Sequence, residues 1–383
     1  MAFLRCQQCS LKCGTHYVPY DVLRLLRMGY RKLEYSKSQC LLKKFLTEEL
    51  LEHLKFRRTS NDVNLYDCIK SGLENHDSKI GIYACDPECY FVFSPIFFPI
   101  LEELHGFSPT DIHPRSEWTP ITRVSNLEAR RKFIKLTRIR VIRNLKGHPF
   151  CPQMSQKDFE DVEEYLAMIL ALMTEFKKGL NNPKLTAPIQ TAGEYDGQYE
   201  KISEMTEDRK KQLKEKFILF DNTDKFLESA GAYRQWPSGR GVFTNSDENF
   251  IVQVNNCDHL KVISLEHGGN IRRTYERLLK AVLKLQGDMN FIKSARMGYV
   301  TLCPSDMGTA LKVIMHLMLP HLSNHPKKLM ECVAKLDVDI KTVPDNPRMF
   351  EISNRKRMGI TEIESVLAVE HAAVSLISLE ESS

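Results

Sequence analysis

The sequence predicts an α+β protein. A small all-helical N-terminal domain covers residues 1–105, and a larger C-terminal domain, residues 125–383, carries an antiparallel sheet flanked by helices. Three observations lead there. Through the first hundred positions apolar residues recur at three- and four-residue spacing, the helical period. Gly106–Val124 then breaks the pattern with Pro109, Pro114 and Pro120 and reads as a linker. Beyond it, strand-like and helix-like segments follow one another in mixed order.

Element by element, Asp21–Met28, Ser38–Lys55 and Leu65–Leu73 have the helical period, with Leu, Phe and Ile set among polar residues. Thr47 followed by Glu48 and Glu49 marks a helix start with acidic residues in its first turn. His76–Tyr83 is polar and Gly-containing, hence a loop, and Asp86–Leu104 resumes as helix with a break around Ser94–Pro95. In the second part, Phe133–Val141 is a strand and Ser155–Lys177 an amphipathic helix, capped by Ser155 with Asp158 three residues on. Phe250–Val254 and Leu260–Leu265 read as strands joined by the polar turn Asn255–Asp258. Asn270–Leu285 is helical, Tyr299–Cys303 and Lys312–Leu319 are expected as paired strands, and Lys328–Leu336 and Thr361–Leu379 as helices. No internal repeat or low-complexity tract interrupts the order.

Composition narrows the function. Lys and Arg number 54 against 49 Asp and Glu, a mild excess that argues against a dedicated nucleic-acid binder. Hydrophobic content of 42% and charged content of 27% exclude disordered and collagen-like classes. No apolar stretch reaches the roughly eighteen residues that span a bilayer, and Met1–Leu11 lacks the apolar core of a signal peptide. Eleven cysteines scattered from Cys6 to Cys332 fit reduced thiols in a cytoplasmic protein. Cys6, Cys9 and Cys13, with His16 beyond, resemble half a zinc site. Zinc wants a second pair of ligands, so a thiol-rich terminal segment is the simpler reading.

Three segments could carry chemistry. In Leu136–Val141 the strand alternation puts Arg138 and Arg140 on one face, about 7 Å apart, as a pincer for a polyphosphate or as solvated salt-bridge partners. Lys312 and His316 share a face in the same way. They suit a phosphate and a base, or a core strand with one satisfied histidine. Cys303 opens the small-residue loop Cys303–Thr309. It is a reactive thiolate if cationic neighbours and Ser305 lower its pKa, and an inert buried thiol otherwise.

Taken together these segments resemble the phosphagen kinases, the ATP:guanidino phosphotransferase family that includes arginine and creatine kinases. The resemblance runs from about residue 35 onward. It is carried by Gly81–Ala84, Phe93–Phe97, Thr137–Arg140, Trp236–Gly241, Asp258–Lys261, Gly268–Gly269, Cys303–Thr309 and Ile352–Glu362. Gly81–Ala84 and Ile352–Glu362 look closer to arginine kinases. The resemblance implies reversible transfer of the γ-phosphoryl of MgATP to a guanidino nitrogen, arginine being the expected small-molecule substrate, in a monomer or dimer. It places ATP or ADP, with Mg2+ held by the phosphates, on Arg138, Arg140, Lys261, Lys312, His316 and Lys341. It places the thiolate at Cys303, and the substrate's carboxylate on Tyr83 and the loop backbone that includes Ser78, Ile80 and Ile82.

The departures fall on the chemistry. Where the family reads Asn-Glu-Glu-Asp-His-Leu-Arg, this chain has Asn255-Asn256-Cys257-Asp258-His259-Leu260-Lys261, so Cys257 sits at the catalytic glutamate position. A neutral thiol offers a guanidinium no anionic face. Lys261 and Lys312 replace arginines, keeping charge but losing the two-pronged fork. Asp306 replaces a neutral asparagine near the phosphates, and Lys79-Ile80 replaces Gly-Val in the substrate loop. Between Ile340 and Glu351 the glycine-rich acidic loop is missing; Pro344 and Pro347 predict a short, stiff loop that closes poorly. The expectation is a kinase with impaired turnover, or alternatively an inactive relative that binds nucleotide or a protein partner.

Overall fold

In the N-terminal region helices α1 (Tyr20–Tyr35), α2 (Leu41–Phe45), α3 (Glu48–Leu54), α4 (Leu65–Glu74), α5 (Cys89–Val92) and α6 (Ser94–His105) pack around a shared apolar core. The structure, a computed structural model, describes residues 17–174, 193–344 and 346–382. The Cys6, Cys9 and Cys13 group and the last residues of the expected helix Ser155–Lys177 lie outside the described residues.

Ser38–Lys55, expected as one helix, is two. Thr47 caps α3 by accepting the Leu50 N–H at 3.2 Å, and a cap needs extended backbone, so α2 must end before it. Helix α4 starts from a reciprocal capping box between Asn64 and Asp67. Gly106, at a φ of 63°, ends α6 in the left-handed conformation that glycine adopts without strain.

The larger part follows as β1 (Ile134–Arg143), α7 (Gln156–Thr174), β2 (Gly197–Lys201), α8 (Glu207–Glu215), α9 (Lys225–Ala230), β3 (Gly241–Asn245), β4 (Phe250–Val254), β5 (Leu260–Glu266) and α10 (Ile271–Asp288). It continues as β6 (Lys293–Ser294), β7 (Gly298–Tyr299), β8 (Leu311–Met318), α11 (Pro320–Ser323), α12 (Pro326–Val333), β9 (Val338–Val343), β10 (Asn346–Asn354) and α13 (Glu362–Glu381). Among the described residues the main sheet has eight strands in the order β2-β3-β4-β5-β1-β8-β10-β9, each pair antiparallel. Its apolar face, with Ile139, Val141, Val313 and Met315, is buried where α10 and α13 pack across it.

Two expectations fail here. Tyr299–Cys303 is not a strand paired with β8: Gly298–Tyr299 pairs with Lys293–Ser294, and β8 lies between β1 and β10. Ile340–Glu351 is not a loop either, because β9 and β10 form a hairpin with Lys341 opposite Glu351. The prolines do not prevent it. Pro344 lies in the turn, and Pro347 in an irregularity between Asn346 and Phe350 where ladder bonds are interrupted.

The helical part is fastened to the segment before β8. Ala84 N–H donates to Leu302 O at 2.8 Å, Tyr90 Oη–H to Thr301 O at 2.9 Å, and His105 Nε2 lies 3.0 Å from Pro304 O. The first of those bonds ties the end of the 78–83 loop to the Cys303 segment.

Candidate active site

Register alone collects the cations. Residues directly opposite in an antiparallel pair share a face. Arg140 pairs with Lys312, Leu136 with His316, and Glu351 with both His316 and Lys341. Lys261 and Ile263 lie on β5 opposite Ile142 and Arg140. One sheet face therefore presents Lys261, Arg138, Arg140, Lys312, His316 and Lys341. All six sequence-predicted cationic or imidazole positions come together, with Glu351 among them.

Two carboxylates divide this face. At one end Arg140 Nη2 donates to Asp306 Oδ1 at 3.1 Å, and Arg357 Nε lies 3.7 Å from the same oxygen. Burial alone would raise the Asp306 carboxyl, but Arg140, Arg357, Lys312 and Lys261 outweigh it and hold the carboxyl at about 2. At the other end Glu351 meets His316 Nε2 at 3.3 Å and Lys341 Nζ at 3.2 Å. Burial again opposes ionisation and loses: the His316 hydrogen bond and the charges of Lys341 and Lys312 hold Glu351 at about 2. The cations carry the converse strain. Burial, then Arg140 and Arg357, pull Lys312 down to about 8, and burial lowers Lys261.

Arg138 Nε, Arg140 Nη1 and Arg357 Nε are buried without a hydrogen-bond partner. Native interiors rarely leave such donors unmatched, so Arg138 and Arg140 retain unused hydrogen-bonding capacity at this face.

Beside Asp306 lie the thiols. Cys303 Sγ is 3.1 Å from Ser305 Oγ, and Asp306 N–H donates to Cys303 O at 3.0 Å. Of the two readings open for Cys303, the surroundings favour the inert thiol. Desolvation and the Asp306 charge push the Cys303 thiol up to about 12, and Ser305 only moderates this. Arg140 and Arg357 are turned toward Asp306 instead.

The β4–β5 turn is held from below. Asp258 Oδ1 accepts from Asn144 Nδ2 at 2.6 Å and from Leu302 N–H at 2.8 Å, tying the turn to the Cys303 segment. Asn256 Nδ2 donates to Gln253 Oε1 at 2.8 Å, while the Cys257 thiol faces Asp258 Oδ2 at 3.6 Å. Burial lifts Cys257 to about 12, with Lys261 opposing and Asp258 and Asp306 adding. The turn thus presents an engaged amide and a neutral thiol.

The loop of the helical part is stitched to its own domain. Ser78 N–H donates to Asn75 O at 3.1 Å, Gly81 N–H to Ser78 Oγ at 3.0 Å, and Tyr83 N–H to Cys68 O at 2.9 Å. Lys79 O and Ile80 O accept from Leu41 and Leu42 at 3.0 and 2.9 Å. Ile82 is fully buried and Tyr83 nearly so. Of the predicted substrate-holding positions, Ser78 and Tyr83 therefore already use their N–H groups internally.

Two residues of the site escaped sequence reading. Arg357 belongs to the run Arg355-Lys356-Arg357, where composition cannot tell which cation turns inward. Arg355 pairs with Asp339 and Lys356 with Asp337 at the surface, leaving Arg357 for Asp306. Glu351 had a signal only if β9 and β10 were recognised as strands.

The structure is an α+β protein with a cation-lined sheet face, beside a small helical part hydrogen-bonded to the segment before β8. Residues 36–102 match the ATP:guanido phosphotransferase N-terminal domain, and residues 184–383 its C-terminal catalytic domain. An arginine kinase from Schistocerca americana is 35% identical over 366 residues, covering 94% of this chain and 98% of its own length. Arginine kinase 1 of Drosophila melanogaster is 36% identical over 368 residues, covering 94% and 98%. Among solved structures, the duplicated taurocyamine kinase from Schistosoma mansoni with bound transition state analog components superposes with a TM-score of 0.81 at 31% identity, over 94% of this chain. This chain spans 48% of that duplicated protein, about half its length. Lombricine kinase superposes at 0.78 with 25% identity, over 92% of this chain and 93% of its own. The chain belongs to the ATP:guanido phosphotransferase family, the phosphagen kinases. Among the described residues no helix is long and apolar enough to cross a membrane.

Proposed function

We propose that this chain is an arginine-kinase-like member of its family that keeps a nucleotide cradle and passes phosphoryl to a guanidine with impaired turnover. One observation carries the reading: at the turn where the family holds its catalytic glutamate, Cys257 is a thiol that stays neutral at pH 7. A carboxylate there would align and polarise the guanidinium through paired charge-assisted hydrogen bonds. A neutral thiol does neither, and loss of a general base typically lowers the rate by about 10²–10⁴-fold.

The nucleotide half of the reading rests on the sheet face. Arg138, Arg140, Lys261 and Lys312 are suited to phosphates, and the unmatched nitrogens of Arg138 and Arg140 fit an added anion. His316 is suited to the base. Lys341, already paired with Glu351, contributes charge at that same end. As in the family this chain resembles, Mg2+ would be held by the nucleotide's phosphates, whose charge it lowers. The substrate carboxylate would lie by the 78–83 loop, near Tyr83.

A second reading, nucleotide binding with no transfer at all, is favoured by the Arg140–Asp306 pair, which withdraws one arginine from the phosphates. A coupled assay with MgATP and arginine tests both, extended to taurocyamine and lombricine because structural relatives are named for them. The expected outcome is slow turnover with at least one guanidine. A rate ordinary for arginine kinases sinks both readings, and no turnover with sustained nucleotide binding selects the second.

A further inference from the structure

The Asp306 carboxylate occupies a place in the cradle that chemistry reserves for another anion. It is 9% exposed, lies 3.1 Å from Arg140 and 3.7 Å from Arg357, and is within the field of Lys312 and Lys261. A carboxylate at the centre of four cations, on a short turn anchored to Cys303, is geometrically what a phosphate would be.

Its position along the face fixes which phosphate. Lys312 and His316 are four residues apart on β8, roughly 13 Å of strand. Asp306 lies at the Lys312 end, next to Cys303 and Cys257, while His316 and Glu351 form the other end. A nucleotide with its base toward His316 brings its last phosphate to Asp306, the end at which a guanidine would receive it. The phosphates nearer the base fall on Arg138 and the unmatched nitrogen of Arg140.

We propose that Asp306 is an intramolecular occupant of the terminal-phosphate position, so that this site selects a nucleoside diphosphate over the corresponding triphosphate. The inference rests on the nucleotide-cradle reading above and adds a direction to it. A diphosphate leaves the Asp306–Arg140–Arg357 cluster intact. A triphosphate must displace the carboxylate or place its γ-oxygens against it. Asp306 acting instead as a relocated base fits poorly, because a carboxyl held at about 2 accepts protons weakly near neutrality.

The test is calorimetric titration of the full chain with Mg-ADP and Mg-ATP at low ionic strength, first in the wild-type protein. ADP should bind about tenfold or more tighter than ATP, the scale on which one unfavourable charge contact acts. Tighter ATP binding in the wild type overturns the inference and needs no variant. Asp306→Asn, which keeps shape and removes charge, should tighten ATP by about tenfold and ADP by less than threefold. Equal tightening of both nucleotides overturns the terminal-phosphate assignment while leaving the cradle standing. Failure of both proteins to bind either nucleotide at millimolar concentration overturns the cradle and the inference together.

Discussion

The sheet face and the turns that close over it border one pocket, yet substitution has touched them differently. On β1 the pair Arg138 and Arg140 is intact, and on β5 and β8 the replacements Lys261 and Lys312 keep the charge. On the turns the replacements change charge outright: Asn256 and Cys257 remove carboxylates, and Asp306 introduces one. Strand positions are fixed by register and by an apolar opposite face, so their chemistry changes only in small steps without disturbing packing. Turn positions answer to fewer neighbours. Asp258 and Asn144 hold the β4–β5 turn in place whatever stands at 257. On the function proposed above, the contrast makes anion binding and phosphoryl transfer separable, because different elements would carry them.

The largest expected effect comes from restoring the turn. Cys257→Glu should raise single-turnover phosphoarginine formation by about 10²-fold, within the range a general base contributes. Lys261→Arg and Lys312→Arg should add less, since lysine already supplies charge. The double and triple variants have to be measured too, because groups acting as a unit are non-additive. If Cys257→Glu changes nothing in any background, the turn is not the lesion and the contrast collapses.

Stability should show the opposite ranking. Arg140→Ala leaves Asp306 buried with one fewer partner, and removing one member of a buried pair is strongly destabilising. With Arg357, Lys312 and Lys261 still near, a loss of roughly 2 kcal/mol is expected. Asn256→Ala loses only the bond to Gln253, roughly 1 kcal/mol. Urea denaturation of both variants checks the order, and equal losses would erase the distinction between the cradle and its turns.

Much of this contrast was legible in the sequence, and the limits have physical causes. Alternation in β1 put Arg138 and Arg140 on one face, and the turn substitutions could be read directly against the family pattern. Whether Asp306 would merely sit near the phosphates or engage an arginine could not be read, since it depends on a contact 166 residues apart in sequence. The β9–β10 hairpin was missed because the polar edge strand β9, followed by Pro344 in the turn and Pro347 in β10, looks like a loop until its partner is seen. Which of the two readings of Cys303 applies could not be read for a related reason: positive residues are present in number, but Arg140 and Arg357 are directed at Asp306.

The third prediction uses Lys312, where folding lowers the pKa from 10.5 to about 8. Between those values the unfolded chain binds more protons, so charged Lys312 is a cost to the fold, and its share of stability rises with pH through the window. Nucleotide binding has the opposite sign. It favours charged Lys312, so affinity should hold below pH 8 and fall by up to tenfold per unit above it, about one linked proton. Titrations of ADP from pH 7 to 9.5 check this, and Lys312→Arg should flatten the profile. A flat wild-type profile would place Lys312 outside the cradle.

The smallest effect should be at Cys303, and it asks whether the turns feel the charge of Asp306 at all. Only the thiolate alkylates, and a thiol held at about 12 is almost entirely protonated at pH 8. Brief iodoacetamide treatment with mass spectrometry should therefore find Cys303 slower than Cys332, although both thiols are partly exposed. Burial is the larger cause of the raised pKa and Asp306 the next, so Asp306→Asn removes only the smaller part. The expected gain is about threefold in reaction rate. Cys332 serves as the internal reference because it lies on α12, away from the cradle. Fast labelling of wild-type Cys303 would mean that the cations reach the thiol after all, so that Asp306 does not absorb their charge and the cradle is emptier than its geometry indicates.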